Sequence, residues 1–170
     1  MSDVYSCFVI FTNKINPAMN EIKHITTLFR DIYNGDPWID ITLMGTLENI
    51  PAETAAKRMS PHCNTVWEIV NHIISWRENV LQRVQGKIMI TPDNNYFTAV
   101  IDQSSTAWDN TLLALKNSQM EWLAFLQKIN EADLEKIYPG NDAAYYKNIY
   151  GIVQHDAYHL GQITLLMKLI

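Results

Sequence analysis

The sequence predicts an all-α protein, a four-helix bundle whose helices are joined by long crossover connections. Three observations carry this. Four long stretches repeat apolar residues at helical spacing. Most of them open on a capping signal or close on a glycine or proline breaker. The segments between them are too long for the tight turns of an up-down bundle.

Residues 1–15 read as an N-terminal extension, a strand-like arm or a disordered lead-in, because Val4-Tyr5-Ser6-Cys7-Phe8-Val9-Ile10-Phe11 is β-branched and aromatic. That run is short for a signal-peptide core, its flank is acidic, and no small-residue cleavage site follows it. The bundle domain then occupies residues 16–170. Asn16-Pro17 predicts an N-cap with proline at the first helical position. Ile22, Ile25, Leu28, Phe29 and Ile32 continue that helix until Gly35 and Pro37 end it. Residues 35–64 carry Gly45, Pro51 and Pro61 and read as a crossover with one short helix around 52–59.

Thr65-Val66-Trp67-Glu68 is a capping box and opens the second long helix, which runs to Gly86. Its apolar faces are Val66, Ile69, Val70, Ile73, Trp76, Val80 and Leu81. A second connection, 87–102, contains Pro92 and the loop-forming Asp93-Asn94-Asn95. The third helix spans 104–130 with Trp108, Leu112, Leu115, Met120, Leu123, Leu126 and Ile129 on its buried side. After the breaker Pro139-Gly140-Asn141-Asp142, the last helix begins near Asn148 and continues through Leu169. The tryptophans Trp67, Trp76, Trp108 and Trp122 read as core and dimer-interface material.

Composition narrows the function. Thirteen Lys and Arg against eighteen Asp and Glu leave a net charge of -5 with no basic run, which argues against nucleic acid as a partner. No segment reaches the length of a membrane span. Cys7 and Cys63 are too few for a disulfide framework and have no CxxC spacing, so a reduced, cytoplasmic protein is expected. A Gly-x-Ser-x-Gly elbow and a glycine-rich phosphate loop are both missing.

The five histidines are more informative. His155 and His159 stand four apart in the last helix, so their rings leave one face about 40° apart and can clasp one ion. Taken alone, that spacing also suits two partly exposed surface histidines. Ile152, Gln162 and Leu166 share the face, which turns the pair inward, where two imidazoles need a common partner. His72, set among Ile69, Ile73 and Trp76, is the best third donor, although a lone buried histidine is ordinarily satisfied by one hydrogen bond. His24 follows Glu21 in a Glu-x-x-His, but the doubled pattern of a di-iron bundle is missing. His62 reads as a loop or pocket-rim residue.

Asn71-His72-Ile73-Ile74-Ser75-Trp76, with His155-Asp156-Ala157-Tyr158-His159-Leu160-Gly161-Gln162-Ile163 far downstream, resembles the DinB-like (YfiT-like) metalloenzyme superfamily. The similarity of layout extends from about Met19 onward. It implies a bundle of unusual connectivity, often a homodimer, holding a divalent metal through three histidines, here His72, His155 and His159. Members include thiol S-transferases using low-molecular-weight thiols, a thiol-dependent isomerase and metal-dependent hydrolases. A metal-dependent thiol S-transferase acting on a small-molecule electrophile is therefore expected first, and a hydrolase or a non-enzymatic metal-stabilised binder next. Zinc or nickel suits three nitrogen donors, with iron possible. Gln162, one turn beyond His159, is expected to orient a ligand ring or touch substrate. Asn79 and Glu68 are weaker candidates for supporting His72, and Tyr158 is expected to serve packing.

Overall fold

The computed structural model describes residues 20–170, so the expected N-terminal arm, Cys7 and the Asn16-Pro17 cap lie outside the described residues. Four long helices, α1 (Glu21–Asn34), α4 (Val66–Val84), α5 (Ser105–Leu126) and α6 (Tyr145–Leu169), form the bundle. Asn20 caps α1 by accepting from the Lys23 amide, and Gly35 closes it by donating to the carbonyls of Arg30 and Asp31. The capping box at the head of α4 forms as expected, with Thr65 and Glu68 bonding reciprocally. Beyond its far end Gly86 takes φ +89°, a left-handed turn that favours glycine.

The first crossover holds two short helices, α2 (Leu43–Leu47) and α3 (Ala52–Ala56), where one was expected. Gly45 reads as a breaker in that stretch, yet α2 is secured around it by its Thr42 cap and by burial of Leu43 and Leu47. The 137–144 segment closes as a minimal antiparallel ladder, β1 (Ile137–Tyr138) on β2 (Ala143–Ala144). Gly140 is demanded at its tip, since a Cβ there would sit 2.5 Å from the Tyr138 ring. The last helix starts three residues before Asn148, whose side-chain amide donates back to the carbonyls of Ala143 and Ala144 from within the first turn.

Along α5 the buried stripe is Trp108, Leu115, Ser118, Gln119, Trp122 and Leu126, and Met120 is exposed. Of the expected stripe, Trp108, Leu115 and Leu126 are buried and Leu112, Leu123 and Ile129 half-buried against the core, while Ser118 and Gln119 are inside where only apolar residues were counted. Those two matter for the architecture. The core divides into one apolar cluster around Leu43, Val66, Trp67, Val70 and Leu160, and another around Phe29, Val80, Trp122 and Ile149. Between them a polar layer crosses the waist of the bundle. Arg77 of α4 donates to Asp156 Oδ2 from Nε at 3.0 Å and from Nη2 at 2.7 Å, and to Gln119 Oε1 at 3.0 Å. Gln119 in turn donates to the Phe29 carbonyl at 2.8 Å, so one network ties all four long helices.

Gly161 lies in the interior of α6, exposed, with open space where a Cβ would project. Gly161→Ala should therefore raise stability by about 1 kcal/mol through helix propensity alone. Urea denaturation checks this, and a loss of stability would mean that something packs on that face.

Candidate metal centre

α4 and α6 pack against each other along their length, and this contact brings His72 to His155 and His159. The separation in sequence between His72 and His155 is 83 residues. Among the described residues these three make a group that could hold a metal ion, with their ligand atoms within 4.8 Å of one another. His72 and His159 are buried and His155 is half-buried. The Nε2 atom of His155 lies 3.0 Å from that of His72 and 3.1 Å from that of His159.

The outer nitrogens decide what those Nε2 atoms offer. His72 Nδ1 is 2.7 Å from the Asn95 carbonyl, which only accepts, so Nδ1 carries the proton. His159 Nδ1 is 2.7 Å from Gln162 Oε1, while Gln162 Nε2 donates to the Tyr158 hydroxyl at 2.9 Å. Both rings are thereby set as Nδ1–H tautomers with Nε2 lone pairs turned inward. Lone pairs converging this closely repel unless a cation or a proton lies between them. Two nitrogens bound to one tetrahedral zinc at about 2.0–2.1 Å stand roughly 3.3–3.4 Å apart, within a few tenths of the separations found. The donor set therefore fits a single ion. His155 differs in one respect, because its Nδ1 is buried and has no partner among the described residues.

Burial keeps all three rings neutral, as a metal requires. It pushes His72 down to about 4, against the pull of the Asn95 carbonyl. His155 is pushed down to about 3 by burial, reinforced by His159, His72 and Arg77. His159 is lowered by burial too, partly offset by Gln162 and Asp156.

A family model described as the DinB superfamily matches residues 42–163, which include α2 through most of α6 and all three histidines. The chain belongs to the DinB superfamily. No curated protein and no solved structure matches it. The matched span is narrower than the layout expected from about Met19, since α1 lies outside it.

This DinB chain surrounds its histidines with groups that spacing did not reveal. Asn95 and Tyr96 take consecutive left-handed conformations, φ 50° and 63°, which curl the 85–104 connection back over α4. Asn95 thus reaches His72 with its carbonyl and accepts from Trp76 Nε1 at 3.1 Å with its side chain. Phe97 stacks on the His72 ring, centroids 3.9 Å apart and 8° from parallel. Asn94-Asn95 after Pro92 was a signal for a turn, because asparagine tolerates φ > 0, but nothing in it said where the turn would land.

The supporting residues expected around His72 act otherwise. Asn79 donates to the Tyr96 hydroxyl at 2.6 Å and so steadies the loop, not the ring. Glu68 completes its capping box and pairs with Arg58. Tyr158 is exposed and accepts from Gln162, a correction to its expected packing role: it is offset from the ligand face, and the Gln162 side chain reaches back one turn to its hydroxyl. Trp76 is only half-buried, and of the four tryptophans expected in the core or an interface the other three are buried. His24 is exposed beside Glu21, and His62 is exposed at the rim of a shallow groove shared with Gln162. In this DinB protein Gln162→Leu should weaken zinc binding by about 10- to 100-fold, since the ring it orients would lose its partner. Competition with a chromophoric chelator measures it, and parental affinity would remove Gln162 from the centre.

Proposed function

We propose that His72, His155 and His159 hold one divalent ion, zinc or nickel before iron, and that the protein is a metal-dependent thiol S-transferase acting on small electrophiles. The observation that carries this reading is the convergence of three Nε2 atoms, two of them on rings whose Nδ1–H is already engaged. Three protein donors leave a coordination position open, as in catalytic sites and unlike closed structural ones. When bound, the ion supplies positive charge that favours the deprotonated form of a thiol or water beside it. The chain's own groups then have three tasks. Asn95 and Gln162 hold two imidazoles in orientation, Phe97 shields one face of His72, and the space beside His155 and Trp76 admits a small molecule.

A low-molecular-weight thiol is favoured over water for a chemical reason. Among the described residues no Asp or Glu joins the histidine group. Asp156, next to His155, is engaged by Arg77. Metal-assisted hydrolysis draws on a base such as the glutamate of zinc peptidases, whereas a thiol with a pKa of about 8.5 needs less help.

Protein purified without chelator should carry close to one divalent ion per chain by elemental analysis. A panel of thiols and electrophiles, run on metal-loaded and metal-stripped protein, should show transfer only with metal. Ester or amide turnover without thiol would point to a hydrolase instead. A large fall in melting temperature on stripping, with no turnover in the panel, would make the ion structural.

A further inference from the structure

A groove of about 450 Å³ runs from His155 along the seam of α4 and α6 to the 137–144 hairpin. That is the size of a small-molecule site. Trp76 and Val80 on one side and Ile152 on the other make its walls mostly apolar. On α6, Lys147, Gly151 and His155 recur every four residues, so they form one stripe along the groove.

Two features of that stripe are unexplained by packing. Glycine is unfavourable inside a long helix, yet a Cβ at Gly151 would meet nothing within 4 Å, so no neighbour requires the glycine. Its effect is to keep the groove open beside His155, whose side chain leans toward it along the helix. Lys147 marks the other end. It is exposed, and the salt bridges among the described residues do not include it. The two asparagines in the groove are engaged: Asn141 donates to Asn148 and accepts from the Ala143 amide, and Asn148 donates to the carbonyls of Ala143 and Ala144. In a chain of net charge -5, an unpaired cation at the mouth of an apolar groove gives an organic anion a locally favourable place.

We propose that this groove binds an elongated small molecule ending in a carboxylate. The carboxylate meets Lys147, the apolar body lies over Gly151 against Trp76, Val80 and Ile152, and the reacting end reaches the histidines. Lys147 and His155 are about 12 Å apart along the helix axis at 1.5 Å per residue, which sets the scale of the molecule. The placement of the reacting end rests on the proposed metal centre; the carboxylate preference does not.

The test uses 6-mercaptohexanoate and 6-mercaptohexanol as probes of zinc-loaded full-length protein, with calorimetry for affinity and elemental analysis on the same samples. The acid should bind at least about fivefold tighter than the alcohol, the gain expected of one charge-assisted contact at an exposed lysine. Lys147→Gln should erase that difference by weakening the acid alone. Gly151→Leu, which fills the groove and favours the helix, should weaken both. Equal affinities for acid and alcohol, or an acid affinity unmoved by Lys147→Gln, would overturn the proposal. Should the protein take up no zinc, the metal centre fails by itself. Hexanoate against hexanol, followed by calorimetry in parent and Lys147→Gln, then decides the groove by the same criterion.

Discussion

Arg77→Ala should lower folding stability by about 3–5 kcal/mol, because it strands a carboxylate in the middle of the bundle. Arg77 and Asp156 have no exposed side-chain surface at all. Burial pushes the Asp156 carboxyl up, and the guanidinium beside it pulls the other way. Two N–H donors from Arg77 meet one carboxylate oxygen, and the second oxygen is buried without a partner among the described residues. Among the described residues no other donor reaches Asp156 once the arginine is gone, and only the weaker pull of His159 is left. The loss of Gln119's partner adds to the effect, since Gln119 also reaches the Phe29 carbonyl on α1. Removing both charges with Arg77→Met and Asp156→Leu should be far milder, for no ion is then left unpaired. Urea denaturation of the two variants against the parent reads the difference. A single-variant loss below about 1 kcal/mol would mean that the pair is hydrated in solution.

Replacement of His155 by alanine should weaken metal binding by more than about 100-fold, beyond what the loss of an outer partner such as Gln162 brings. His155 is the ring that both other Nε2 atoms approach, so its removal leaves His72 and His159 facing a gap. Elemental analysis after desalting, followed by chelator competition, measures the change. The variant should stay folded, since His155 is half-buried and its Nδ1 bonds nothing among the described residues. Metal content equal to the parent's would dismiss the centre. The same variant isolates a pH effect. Histidines of the unfolded chain take up protons below about pH 6.5, whereas burial holds His72 near about 4 and His155 near about 3. The unfolded state therefore binds more protons across that window. Stability of the metal-free protein is retained above about pH 6.5 and lost as pH falls through about 4 for His72 and about 3 for His155. His155→Ala should show a shallower decline in thermal melts over the same range.

Much of this molecule is local and so is written locally. The Thr65–Glu68 capping box, the stop at Gly35 and the shared face of His155 and His159 depend on residues within one or two turns of each other. Each could be read as soon as the helical period was recognised. Met120 shows where that reading ends: periodicity found the helix and most of its inward face, but it took an exposed methionine for core and passed over Ser118 and Gln119, which are inside beside Arg77.

Legible in the residues alone were four long helices, the capping box of α4 and a pair of imidazoles on one inward face of the last helix. What that face meets depends on how distant parts of the chain pack. His72 arrives from 83 residues away through the rotation of α4 against α6. The Asn95 carbonyl and the Phe97 ring arrive because two left-handed residues turn a loop back onto the site. The Arg77–Asp156 pair that fixes α4 on α6 is 79 residues apart. The physical reason is the same in each case. A helical period states which side chains share a face, but the partner of that face depends on helix rotation and on loop dihedrals, which are settled by packing the whole chain.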